Sequence, residues 1–181
     1  MSIGVQMTGT QELERYQQLL ETLSDPKHKV ELLDSLGGIV ESQTRRRIAD
    51  EKTSPDGSPW ADWSTDYAKS RHGNQSLLQA DGDLLDSIQY QVQRNQVRIG
   101  SPLAYAGVHQ DGFFGPVQVS AHTRLITQAF GKALAFPVYQ SVGAFTRMMN
   151  IPQREYLGLS TDNQSEVYAV IGDFWKELVN V

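Results

Sequence analysis

The 181-residue chain contains no cysteine. That excludes a disulfide scaffold, thiol catalysis and any zinc or iron–sulfur site built on thiolates. Long apolar runs are missing as well. Nothing approaches the roughly 20 apolar residues that span a bilayer. The first residues, Met1 to Thr8, offer neither a basic n-region nor an apolar h-region, so no secretory signal is expected. The expectation is a soluble, unsecreted protein that uses no membrane. Basic charge is also short. Sixteen Lys and Arg against 21 Asp and Glu give −5, the opposite of the balance in a dedicated nucleic-acid binder.

Catalytic signatures are equally scarce. There is no HExxH, no GxSxG elbow and no GxxxxGK[ST] phosphate loop. The four histidines show no metal-binding spacing on a helix. His109, Asp111 and His122 could form a metal or acid–base cluster only if strand and loop bring them together. A metal-dependent hydrolase on those three residues is one alternative function. A nucleic-acid module on Arg45–Arg47, Arg71, Arg94 and Arg98 is another. Asp81, Asp83 and Asp86 read as helix-start residues, where negative charge suits the dipole. No cofactor and no catalytic residue is expected.

What is present is a pattern of amphipathic elements. Charge is acidic at both ends, −3 over residues 1–25 and −4 over residues 155–181, and +2 between. A first helix is expected from Thr8 or Thr10 to Leu23, with Leu13, Tyr16, Leu20 and Leu23 on one stripe. A second runs from Pro26 to about Glu51, with Asp25 as its cap. Val30, Leu33, Val40 and Ile48 share its apolar face, with Leu36 beside them. Gly37-Gly38 weakens this helix, and a kink or two shorter helices is the alternative.

Thr53–Trp60 reads as a loop turning at Pro55-Asp56-Gly57. Ser64 or Thr65 caps a short helix around Tyr67, and residues 69–76 are wholly polar and read as a mobile loop. Ile88, Tyr90 and Val92 alternate with glutamines. A two-residue turn at Arg94-Asn95 then pairs Val92 with Val97 and Tyr90 with Ile99. Pro102 to His109 reads as a short helix, and Asp111–Pro116 as a turn-rich loop. Val117–His122 alternates as a third strand, and residues 126–145 fit neither period. Ile151–Ser160 crosses in extended form. Thr161 and Gln164 resemble a capping box for a last helix with Val167, Val170, Ile171, Phe174 and Leu178 on its stripe. Helices, then antiparallel strands, then a helix predict an α+β fold: an N-terminal helical pair, a small antiparallel sheet and a C-terminal helix. One domain is expected over 1–181, divided into a helical region (10–51), a loop- and strand-rich body (52–160) and a closing helix (161–179).

The order of landmarks carries more than any single one. A long helix ends near Arg45-Arg-Arg-Ile-Ala, and Ser54-Pro-Asp-Gly-Ser-Pro-Trp60 follows. Then come Leu84-Leu-Asp-Ser-Ile88, Val97-Arg-Ile-Gly100, Tyr105-Ala-Gly-Val-His-Gln-Asp-Gly112 and Ala121-His-Thr-Arg124. Ile151-Pro-Gln-Arg-Glu-Tyr-Leu-Gly-Leu-Ser160 precedes the last helix. This ordered set resembles the phage virion morphogenesis (tail completion) family of Mu-like phages and prophages, over roughly residues 10–180. The resemblance implies a non-enzymatic structural protein acting in tail completion or head–tail joining. Its implied partners are other tail or head–tail connector proteins and further copies in a ring. Its implied location is the virion, after assembly in the host bacterial cytoplasm. Gly131–Met149 is longer than the resemblance implies and reads as an added loop. Under this reading Trp60, Trp63, Tyr105, His109, Phe113 and Phe114 are the expected interface residues, presented on loops.

Overall fold

The computed structural model describes residues 17, 21–22, 25–71, 75–129 and 132–179. Most of the first expected helix lies outside these residues, although Gln17, Glu21 and Thr22 are helical. His72 and the centre of the polar 69–76 stretch also lie outside them.

Helix α1 (Pro26–Arg46) starts where the sequence places it. The Asp25 carboxylate accepts a hydrogen bond from the Lys27 backbone N–H at 2.8 Å, and Pro26 occupies the first turn. The helix continues without interruption into a π-helical turn (Arg47–Glu51), which ends at Lys52 with φ 55°. Together they span about 39 Å. Gly37-Gly38 does not kink it. Gly37 is needed because the Tyr90 ring lies directly on the helix there.

The buried side of α1 differs from the apolar stripe. Ile48 is buried, Leu33, Leu36 and Val40 are half-buried, and Val30 is exposed. Gln43, Thr44 and Arg47 are fully buried instead. A stripe count misses them because it scores these side chains as solvent-facing.

Helix α2 (Thr65–Lys69) is capped by the Ser64 side chain. Helix α3 (Asp83–Ser87) has Asp83 and Asp86 in its first turn. Strands β1 (Gln89–Gln93) and β2 (Gln96–Gly100) form the expected hairpin, with Val92 opposite Val97 and Tyr90 opposite Ile99. Helix α4 is Ala106–Asp111, later than expected. Pro102 opens a turn rather than the helix, and the Leu103 N–H goes to Ser101 Oγ.

The expected loop at Asp111–Pro116 is a single turn at Gly112 (φ 75°) followed by strand β3 (Phe113–Val119). Proline is tolerated in β3 because, among the described residues, its other edge has no partner strand. Strands β4 (His122–Ala129), β5 (Lys132–Val142) and β6 (Phe145–Ile151) occupy the unassigned stretch and the supposed added loop. β3 pairs with β6 and β4 with β5, all antiparallel, from Phe113↔Ile151 out to Ala129↔Lys132. The result is a two-stranded arm made of two successive ladders, interrupted at residues 120–121 and 143–144, with the β3–β6 ladder next to the body.

Helix α5 (Thr161–Val179) closes the chain. Its cap is Ser160, one residue before the expected Thr161. Ser160 Oγ accepts from the Asn163 N–H at 3.2 Å, and the Asn163 side chain reaches back to the Ser160 N–H. The architecture is α+β: helical N-terminal region, antiparallel strands, C-terminal helix.

The core is small. Ile48, Trp60, Leu84, Ile88, Ala106 and Tyr156 form it, bordered by Leu77, Leu78, Leu85, Ile99, Leu103 and Leu157. The extended crossing at 152–160 ties its parts together. Its Arg154 N–H donates to the His109 carbonyl, and Trp60 Nε1–H donates to the Glu155 carbonyl. Gln110 Oε1 accepts from the N–H groups of both Tyr156 and Leu157.

Candidate functional site

The run Arg45-Arg46-Arg47 is spent inside the protein. Arg45 donates to the carbonyls of Leu85 (2.9 Å) and Ile88 (2.6 Å) and pairs with Glu41. Arg46 bridges Glu51 and Glu166, which links α1 to α5. Arg47 is only 1 % exposed. Its guanidinium donates to the carbonyls of Tyr156 and Gly158 and to Asn163 Oδ1. Burial lowers the Arg47 pKa, and the Glu51 carboxylate at 3.7 Å opposes that shift. A guanidinium nonetheless stays charged in proteins. Phosphate contact by this run is therefore not what the structure supports.

The three groups of the supposed metal cluster sit in different settings. His122 is exposed at the start of β4, its Nδ1 against the Ser120 carbonyl. Asp111 is exposed at the end of α4. His109 is half-buried, edge-on to Tyr105 at 5.9 Å between ring centres, and its Nδ1 has no hydrogen-bond partner among the described residues. Among the described residues, no three His, Asp or Glu side chains meet in a metal-binding group.

Burial, reinforced by the Arg154 charge, lowers the His109 pKa. The neutral ring is the folded form. As pH falls below about 6.5, the unfolded chain takes up a proton that the folded chain refuses, so stability drops there. We expect the melting temperature to fall between pH 7 and pH 5.5, and His109→Leu to flatten that slope. An unchanged slope in thermal melts would assign the pH dependence to other groups.

The expected interface residues divide into three groups. Trp60 is buried in the core and is not presented to a partner. Its loop folds under the crossing, and the indole N–H is consumed by Glu155. Trp63, Tyr105 and His109 come together with Tyr67 and Arg154 around a cleft of about 630 Å³. Trp63 meets Tyr67 edge-on, and the Arg71 guanidinium covers the Tyr67 ring at 4.4 Å. Arg154 holds the far wall through the carbonyls of Ala61 and Asp62. Phe113 and Phe114 lie outside the cleft, at the root of the arm, and Phe114 is 76 % exposed. An aromatic cleft with charges at its edge suits a protein side chain or a small apolar group.

Comparison with known proteins then decides the family. The model of the phage virion morphogenesis family matches residues 9–175. The chain belongs to that family. No curated protein and no solved structure matches it.

For a virion morphogenesis protein the exposed arm is the more informative surface, and sequence reasoning missed it. Strands β4 and β5 are exposed on both faces almost throughout. Leu125 and Tyr139 stand opposite each other in register, both exposed. Between Ile126 and Gln128 the register slips, because their partners Val138 and Ala133 lie much further apart along β5. This bulge includes Phe136, which is 70 % exposed. The available signal was compositional: residues 112–153 contain no Asp or Glu at all. Among the described residues no helix is long and apolar enough to cross a membrane.

Proposed function

We propose that this chain is a minor structural protein of a tailed, Mu-like phage or prophage, acting in tail completion or head–tail joining. It works through protein–protein contacts with other tail or connector proteins and with further copies of itself in a ring. It is assembled in the host bacterial cytoplasm and remains in the virion. The observation that carries this reading is the family match across nearly the whole chain. The aromatic cleft and the exposed arm support it, because exposed aromatics on a rigid scaffold are suitable interface anchors. Deleting the gene from its phage is expected to leave filled heads apart from defective tails in electron micrographs. Normal infectious particles from the deletion would overturn the reading.

A further inference from the structure

We propose that the β3–β6 arm of one copy docks along helix α5 of a second copy, forming the contact that repeats around the assembly. This rests on the reading above that the protein works as a structural ring.

Three observations carry the proposal. The first is stability. An isolated two-stranded ribbon is marginal in water and needs a helix or further strands to cover it. The paired segments of this arm extend roughly 56 Å if straight, at about 3.3 Å per residue. A globule of this length has a radius of gyration of about 16 Å. The outer strands of the arm, β4 and β5, are exposed on both faces almost throughout, so the outer part of the arm is not covered by its own body. Leu125, Phe136, Val138, Tyr139, Phe145 and Met148 are all exposed along it.

The second observation is charge. The arm, residues 112–153, carries Arg124, Lys132 and Arg147 and no carboxylate, so it is +3. With −5 overall, the rest of the chain is −8. Much of that negative charge lies at the C-terminal end, where α5 carries Asp162, Glu166, Asp173 and Glu177 against Lys176 alone. A wholly non-acidic ribbon and an acid-rich helix on the same chain attract between copies and repel like with like.

The third is the relief of α5. On helical spacing, Tyr168 and Trp175 share one flank, and Asp162, Asp173 and Glu177 occupy the other, where Glu166 is already held by Arg46 and Gln43 of α1. Tyr168 and Trp175 are both exposed. Ser165, Ala169 and Gly172 lie between the flanks, together with Lys176, whose ammonium is drawn to Asp173 at 2.8 Å. A Cβ placed on Gly172 would meet nothing within 4 Å. The solvent face is thus a shallow channel with an aromatic wall and an acidic wall. A ribbon whose cross-strand pairs include Leu125–Tyr139 and Arg124–Gln140 offers matching chemistry on its two faces. Arm onto helix is a heterologous contact, the kind that closes into rings.

The absence of native cysteine makes the test clean. Tyr139→Cys and Ala169→Cys replace exposed side chains on arm and helix. The two variants are purified separately, mixed, and oxidised mildly with copper–phenanthroline. The expected result is a disulfide-linked heterodimer of the two variants, and a ladder of multimers from the chain carrying both substitutions. Arg124→Glu, Lys132→Glu and Arg147→Glu together should cut the yield at least tenfold. Cross-linking of Tyr139→Cys no better to Ala169→Cys than to the exposed control Lys29→Cys would overturn the proposal. Products joined arm to arm alone would do the same. If the gene deletion still separates heads from tails while this cross-link fails, the assembly role stands and the arm–helix contact falls.

Discussion

Replacing Arg47 by alanine should lower stability by about 4 kcal/mol, the effect of breaking a buried, hydrogen-bonded charge network. The substitution leaves the buried Tyr156 carbonyl without its donor, takes one of two donors from Asn163 Oδ1, which keeps the Ser160 N–H, and frees the Gly158 carbonyl at the exposed edge of the site. Each unsatisfied group costs roughly 1–3 kcal/mol. For a chain of this size the melting temperature should drop by about 10 °C. Arg47→Lys should recover only part of this, since one ammonium cannot reproduce the forked geometry that serves three acceptors. Arg45→Ala should fall in between, because it strands the Leu85 and Ile88 carbonyls at a half-exposed site. Arg46→Ala should be nearly silent in thermal melts. Its partners are exposed carboxylates, and such pairs contribute little. Equal melting temperatures for the Arg46 and Arg47 variants would refute this account of the run.

The adjacent glycines of α1 should respond to alanine with opposite signs. A Cβ on Gly37 would lie 2.7 Å from Tyr90 Cγ and 2.6 Å from Cε2, inside the ring's own contact distance. The ring cannot swing aside without losing the hydrogen bond from its hydroxyl to Asp34 at 2.9 Å. Overpacking of this kind costs about 1–3 kcal/mol, more than the helix propensity gained. Gly38 faces open space, with nothing within 4 Å of the same added atom. Gly38→Ala should therefore stabilise by up to about 1 kcal/mol. Urea titration of the two variants separates them. A stabilising Gly37→Ala would mean that the β1–β2 hairpin is not seated on α1 as described.

Much of the fold was legible because local rules governed it. Asp25-Pro26 marks the start of α1, and the alternation around Arg94-Asn95 fixes the β1–β2 register to the residue. The three arginines were legible as a run but not as a hub. Their acceptors are backbone carbonyls, which carry no signature in the sequence. Trp60 was misplaced for a related reason. A turn-rich loop looks exposed until the crossing that covers it is known. Of the arm, only Val117–Val119 was legible, as the start of the expected third strand, which breaks at Ser120–Ala121 instead of running on to His122. Strands β4 and β5 escaped notice because periodicity finds strands by their buried face, and theirs are exposed on both sides almost throughout. Proline and glycine in Phe113-Phe-Gly-Pro116 then read as a loop, although an unpaired edge tolerates them. Of the cleft lining, Trp63, Tyr105 and His109 were singled out in the sequence, as interface residues and not as a cleft. Tyr67 and Arg154 were not, since nothing local links them to the cleft.

The wiring of Arg47 also sets a timetable. Its last acceptor, Asn163, lies 116 residues further along the chain. At about 5–20 residues per second of synthesis, that is a delay of roughly 6–23 s. Through that interval the Arg47 guanidinium stays in water beside Glu51, its buried acceptors not yet made, and Trp60 has no Glu155 carbonyl to bond. The core therefore closes last, when the 152–160 crossing emerges from the ribosome. A chain cut short before that point would keep an open hydrophobic interior and be a ready target for proteases.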